Sequence, residues 1–187
     1  GQTGPLVKSI TMTSMIYRLG ELFNVPVYEA PVGFKSLGPL MIKENALAAG
    51  EESGGFAFRG HIPERDGILS GLFLIDMVIR TGKRPSELLE YLFSKVGAHY
   101  YDRLDVPFSG EDREKVEGRV HLKKTESLIG MKVLHRDDHD GVRYTLEDGS
   151  WLLIRFSGTE PLLRIYAESR KENDVSLLLE EGRLLAG

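Results

Sequence analysis

Apolar positions along this 187-residue chain change period several times, and each change marks an element. Residues 6–10 form a short apolar run behind Gly4-Pro5. Met12, Met15, Ile16, Leu19 and Leu22 then recur at three- and four-residue spacing, so a strand followed by a helix over residues 11–22 is predicted. Residues 25–28 form the next strand, with Pro26 at its start or on an edge. A turn at residues 30–35 leads into a weaker helix over 36–45, interrupted by Gly38-Pro39, and residues 46–50 run into Glu51 as a third strand. This β-α-β-α-β order predicts a layered α/β unit with right-handed crossovers. Residues 56–58 form a short strand after a glycine-rich turn. Asp66 is placed to cap a helix whose apolar residues, from Ile68 to Ile79, cover nearly its whole circumference. Such a helix is expected to be buried on more than one side. Pro85 opens another helix with Leu88, Leu89, Leu92, Phe93 and Val96 inward, and Gly97 fits its C-cap.

Beyond residue 97 the texture changes. Residues 98–108 look extended, and 109–124 are charged and hold a short helix. Residues 130–133, 142–146, 151–156 and 162–167 are predicted strands. Asp148-Gly149 is the strongest hairpin signal in the chain, and Asp174 caps a last helix through Val175, Leu178, Leu179 and Leu184. The expected fold is an α/β layered domain over residues 1–98 followed by a smaller α+β domain with an antiparallel sheet, helices on one face, over 99–187. The join falls near residues 97–105.

Composition narrows the function classes. With 41% hydrophobic and 28% charged residues the chain can bury a core. A net charge of -4 offers no basic excess, so no duplex nucleic-acid partner is expected. The absence of cysteine removes disulfides, thiolate metal sites and cysteine nucleophiles, and a reducing cytoplasm is the simplest expectation. No run reaches 18 apolar residues and no signal-peptide layout opens the chain, so no membrane partner is expected. The first residue is Gly1 rather than Met, which fits a fragment or a processed product.

Two turns carry the candidate chemistry. Gly50-Glu51-Glu52-Ser53-Gly54-Gly55 offers carboxylate acceptors and a hydroxyl on a backbone that a ligand can approach closely, which suits a polyol. Taken alone, it also fits a solvated surface turn. A glycosidase pair is disfavoured, because adjacent carboxylates rarely flank one bond from opposite sides. Arg155-Phe156-Ser157-Gly158-Thr159-Glu160-Pro161 lies between strands and is therefore not a P-loop. It can bind an anion through backbone N–H groups of Ser157, Gly158 and Thr159, two hydroxyls and the Arg155 fork, with Arg164 as a second cation. An ordinary hairpin turn is the plainer alternative. Arg136-Asp137-Asp138-His139-Asp140 reads as a solvated turn rather than a metal site, and neither HExxH nor Gly-x-Ser-x-Gly occurs. Lys35 and Arg65-Asp66 are loop residues of the first domain, placed where either can face a ligand.

The two turns, with Pro31-Val32-Gly33-Phe34-Lys35 before the first and Arg65-Asp66-Gly67-Ile68 after it, resemble the α-D-phosphohexomutase family of phosphoglucomutases and phosphomannomutases. The resemblance covers the whole chain and matches the third and fourth of that family's four domains. It implies that Glu51 and Ser53 contact the sugar O3 and O4 hydroxyls, that Lys35 lies near the substrate, and that Arg155, Ser157, Gly158 and Thr159 cradle the non-reacting phosphate. Some members carry His where Gly55 stands, so a contact from that side chain is missing here. Glu52 is left unassigned. The family transfers phosphate from an active-site phosphoserine of the first domain through a hexose 1,6-bisphosphate intermediate, with Mg²⁺ held by an aspartate loop of the second. Neither motif occurs in this sequence, so no catalytic residue and no metal ligand are expected in this chain, and the N-terminal domains I and II are implied partners alongside a hexose phosphate. The expected function is the substrate-recognition half of a phosphohexomutase, inactive alone. A stand-alone, non-catalytic sugar-phosphate binding or regulatory module is the alternative.

Overall fold

The computed structural model describes residues 2–108, 113–158 and 160–187. The chain divides into two units, Gly1–Gly97 and Ala98–Gly187. In the first, β1 (Leu6–Ser9) lies between β2 (Val27–Ala30) and β3 (Ala48–Gly50), all parallel, and β4 (Phe56–Phe58) pairs antiparallel to β3. The parallel strands are connected through α1 (Met15–Phe23) and α2 (Phe34–Lys43), the α/β layering that the sequence predicts. Phe34, Leu37 and Met41 of α2 meet Val7, Ala30, Ala49 and Ala57 of the sheet in one core.

Two boundaries differ from expectation for local reasons. Helix α1 starts at Met15 rather than at Thr11. Ser9 and Thr11 are fully buried with their hydroxyls 2.9 Å apart, so this stretch serves the end of β1. Helix α2 is not interrupted but runs through Pro39, which sits on its exposed side. Only one backbone donor is given up there.

The largest departure concerns α3 (Gly67–Thr81). Asp66 caps it as expected, accepting from Leu69 N at 2.9 Å. The expected burial on more than one side is wrong: no residue of α3 is buried, Leu69 and Val78 are half-buried, and Ile68, Leu72, Phe73, Leu74, Ile75, Met77 and Ile79 are 43% to 81% exposed. Its ring contact to the sheet is Phe73 on Phe58 of the edge strand, with centroids 4.5 Å apart. A helix apolar on every side needs cover on every side, and an edge strand covers one. In α4 (Pro85–Val96), Val96 is buried but Leu89, expected inward, is 48% exposed.

The second unit is one antiparallel sheet in the order β5-β10-β9-β8-β7-β6. Its strands are β5 (Tyr100–Pro107), β6 (Ser127–Leu128), β7 (Met131–Asp137), β8 (Val142–Leu146), β9 (Trp151–Phe156) and β10 (Leu162–Ser169). The Asp148-Gly149 turn joins β8 to β9 as predicted: Gly149 N donates to Leu146 O at 3.0 Å, and Asp148 accepts from Ser150. Helices α5 (Arg113–Leu122) and α6 (Glu172–Ala186) place Val116, Val120, Val175, Leu178 and Leu179 in one core with Leu152, Ile154, Leu163 and Ile165 of the sheet. This is the expected α+β arrangement. Helix α6 starts at Glu172, so Asp174 lies in its first turn instead of at its cap. An acidic residue is favourable there too, next to unpaired N–H groups.

Two outcomes are expected. A Cβ on Gly182 of α6 would lie 2.5 Å from Ile165 Cγ2 and 3.0 Å from Leu152 Cδ1, both in fully buried residues. The helix-propensity gain of Gly182→Ala, about 1 kcal/mol, is then outweighed by overpacking of about 1–3 kcal/mol. Urea unfolding should show a net loss of stability, and a gain would contradict this packing. The Asp66 carboxyl is held below the usual carboxylate range, first by the Leu69 N–H and then by the His61 ring. Its contribution is therefore present above its unfolded pKa of about 3.9 and is lost as pH falls through the lower folded value. The carboxyl carbon of Asp66, followed by NMR, should titrate below that reference; a midpoint above it would contradict the cap.

Candidate functional site

The three parallel strands of the first unit end at one edge of their sheet, the edge where α/β folds bind ligands. Loops from all three strand ends meet there around two carboxylates. Glu51 is 2% exposed. Its Oε1 accepts from Gly33 N at 2.8 Å, and its Oε2 lies 3.4 Å from Arg65 Nη1. Gly33 is the N-cap of α2 and has φ 107°, a left-handed value that suits glycine and that aims its N–H at the carboxylate. Buried charge requires such partners, and an anion beside a helix N-terminus is favoured. The loop also closes on itself through Glu51 N to Gly55 O at 2.9 Å and Gly54 N to Glu51 O at 3.1 Å.

Glu52 supplies a second anchor. Its Oε2 accepts from Thr11 Oγ1 at 2.5 Å, and Thr11 in turn contacts Ser9. Ser53 is exposed at the loop tip, and Lys35, second residue of α2, is exposed as well. The sugar-contact candidates thus comprise one buried anchor and two solvent-facing side chains. An ionised carboxylate has about four acceptor positions, so the two bonds to Glu51 leave capacity for hydroxyl donors. Beside Gly55, where some family members have His, a Cβ would stand 3.3 Å from Arg65 Cδ, so the Arg65 side chain occupies that space. The Arg65 guanidinium also lies over the Phe34 ring at 5.8 Å. Sequence reasoning names Arg65 only as a loop residue and misses Thr11, whose long-range pairing leaves no local signal.

In the second unit the register of β9 and β10 sets Arg155 directly opposite Arg164. Like charges so placed are unfavourable, and each has its own carboxylate. Arg155 Nε lies 2.9 Å from Asp140 Oδ1, and Arg164 Nη2 lies 2.6 Å from Glu160 Oε2. Burial pulls the Arg164 pKa down, but Tyr166, Asp105 and Glu160 outweigh it and leave the guanidinium above its ordinary value. Arg164 Nε is buried with no hydrogen-bond partner among the described residues. Ser157 is buried; its N donates to Leu162 O at 2.9 Å and its Oγ accepts from Glu160 N at 3.2 Å. The Ser157 amide, expected to face an anion, is therefore spent on the hairpin. Gly158 is exposed, with open space around its Cα, and Thr159 lies outside the described residues.

The stretch 136–140 is only in part the solvated turn that its composition predicts: Asp138 and His139 are exposed in the connection after β7, but the other acidic residues are paired. Arg136 and Asp137 belong to β7, Asp137 Oδ2 accepts from Arg143 Nε at 2.9 Å, and Asp140 holds Arg155. The close approach needs Gly141, at φ 92°, where a Cβ would lie 2.5 Å from Ile154 O. Next to these groups is a cavity of about 300 Å³ whose polar lining includes Arg113, His121, Asp138, His139, Asp140 and Arg155. Arg113 Nη1 also donates to Ser157 O at 3.3 Å.

An α/β unit with a Gly-Glu-x-Ser-Gly turn, followed by an antiparallel α+β unit with an Arg-x-Ser-Gly turn, is the arrangement of the phosphohexomutase class. The chain belongs to the phosphoglucomutase/phosphomannomutase family: residues 1–96 match its alpha/beta/alpha domain III and residues 110–183 its C-terminal domain. It is 33% identical over 177 residues to the phosphoglucosamine mutase of Methanocaldococcus jannaschii, covering 95% of this chain and 38% of that protein. A crystal structure from Thermus thermophilus, described as a phosphomannomutase, superposes with a TM-score of 0.80 at 36% identity, over 99% of this chain and 37% of that one. A more distant structure, the Aspergillus fumigatus N-acetylphosphoglucosamine mutase with GlcNAc-6P and magnesium, shares the fold with a TM-score of 0.65 at 13% identity, over 97% and 41%. The chain spans 32% to 38% of the length of the curated relatives it matches.

Removing the Glu51 carboxylate strands the Gly33 N–H at the start of α2. Glu51→Ala is expected to cost about 1–3 kcal/mol of stability, read by urea unfolding followed at the first unit. Glu51→Gln keeps an acceptor and should cost less; equal effects of the two would contradict the anchoring role.

Proposed function

We propose that this chain is the substrate-recognition part of a phosphohexomutase that interconverts hexose 1-phosphate and hexose 6-phosphate. The observation that carries the proposal is the pair of turns, each built into the unit that matches the corresponding family domain. In the first unit, Glu51 accepts from sugar hydroxyls with its remaining lone pairs, Ser53 exchanges a hydrogen bond with a neighbouring hydroxyl, and Lys35 places a cation near the substrate. In the second, Arg155, Ser157, Gly158 and Thr159 hold the non-reacting phosphate, with Arg164 as a further cation. O3 and O4 present a similar pair of hydroxyls in either sugar orientation, so one set of contacts can serve both half-reactions. C2 is then left unread, and relatives named for glucose, mannose and glucosamine phosphates are consistent with that.

The moving phosphoryl group is handled elsewhere. Transfer of this kind relies on a metal ion and positioned charge to stabilise the group in flight. Among the described residues, no group of three or more His, Asp or Glu fits a metal ion, so no step through magnesium is assigned to this chain. The phosphoserine and the metal loop belong to N-terminal domains I and II in this proposal, and the chain is inactive without them. The apolar exposure of α3 supports further protein packing on the first unit, since patches of this kind mark interaction surfaces. No helix among the described residues is long and apolar enough to cross a membrane, and a cytoplasmic location is part of the proposal.

The purified 187-residue chain with magnesium is expected to leave glucose 1-phosphate unconverted; metal-dependent turnover would overturn the division of labour. Loss of a charge-assisted hydrogen bond is worth about 1.5–3 kcal/mol, so Arg155→Ala should weaken glucose 6-phosphate binding about 10- to 100-fold by calorimetry. Unchanged affinity would remove the phosphate role.

A further inference from the structure

We propose that Arg113, the first residue of α5, is an additional phosphate ligand of the second unit, supplied from outside the Arg-x-Ser-Gly turn. The inference rests on the assignment of residues 155–158 to phosphate. The cavity of about 300 Å³ beside that turn is lined by Arg155 and Arg113, and Arg164 is not among its lining residues. Its volume is ample for a phosphate group.

Existing partners hold Arg113 the most loosely of the three guanidinium groups, and it is the most exposed. Arg155 is tied through Nε to Asp140 at 2.9 Å, both side chains at most 20% exposed. Arg164 is tied to Glu160 at 2.6 Å. Among the described residues Arg113 has one hydrogen bond, to Ser157 O at 3.3 Å, and a long 3.8 Å contact to Glu117, and its side chain is 42% exposed. A guanidinium carries five N–H donors, so most of its fork is available. Its position is nonetheless defined, because the group stacks over the Phe156 ring at 5.5 Å. The bond to the Ser157 carbonyl sets it at the turn itself.

Charge balance in the cavity favours the same residue. Of the three lining carboxylates, Asp140 faces Arg155, Asp138 lies 3.6 Å from Arg136, and Glu117 makes the 3.8 Å contact to Arg113. An entering phosphate displaces the longest and most exposed of these pairs first, which is Glu117 from Arg113. A planar fork then meets phosphate oxygens in the bidentate geometry that arginine favours.

Binding of glucose 6-phosphate and of inorganic phosphate to the 187-residue chain tests the assignment. Arg113→Ala should weaken both about tenfold, one such step being about 1.4 kcal/mol. Arg113→Lys, a point charge without the fork, should fall between. Glu117→Gln should tighten both about two- to fivefold by releasing the guanidinium. Arg119→Ala, on the exposed side of the same helix, should change neither. If Arg155→Ala weakens binding and Arg113→Ala does not, the Arg113 assignment is overturned and the phosphate turn stands. If neither variant matters, or the chain binds neither probe, both are overturned. Should Arg113→Ala lose helicity by circular dichroism, the Lys and Gln variants carry the test: a looser Glu117→Gln would then contradict the proposal.

Discussion

A carboxylate that is almost entirely buried must be paired, and the way Glu51 is paired fixes the ligand-facing edge of the first unit. Its two oxygens join the N–H of Gly33, the N-cap of α2, to a guanidinium from the loop before α3. The glycine-framed turn is thereby tied to the element that follows β2, while Glu52 ties it to the end of β1 through Thr11. Two adjacent glutamates thus act in opposite directions as braces. What the turn presents to solvent is the Ser53 side chain, with the Glu51 carboxylate buried behind it. In the proposed reading this braced turn receives the sugar hydroxyls.

The second unit solves a different problem, that of keeping cations close together. Antiparallel register forces Arg155 opposite Arg164, and the repulsion is offset by Asp140 and Glu160. Arg113 approaches the same turn from α5, with Glu117 as its distant partner. In the proposed reading a phosphate exchanges places with these carboxylates.

Legibility in the sequence tracks the range of the interactions. Hydrophobic period and the Asp148-Gly149 signal are local, and they give the parallel layer, the antiparallel sheet and the order of elements. Asp66 is readable as a cap because the residue it bonds is three positions away. The bracing of Glu52 by Thr11 spans 41 residues and the contact of Arg113 with Ser157 spans 44, so neither leaves a pattern in its neighbourhood. The acidic stretch at 136–140 misleads for the same reason: its composition is that of a loop, whereas its use is set by arginines on β8 and β9. Helix α3 fails differently. Its all-round apolar surface is legible, but periodicity cannot say whether the covering groups lie in the same unit.

In the proposed reading sugar and phosphate are recognised by separate turns, one in each unit. Two-dimensional amide NMR of the isotopically labelled chain tests it most directly, with inorganic phosphate and glucose 6-phosphate added in turn. Inorganic phosphate should shift amides around residues 155–158 and leave 51–55 unmoved, whereas glucose 6-phosphate should shift both groups. Shifts confined to the second turn with either ligand, or absent from both, would contradict the account.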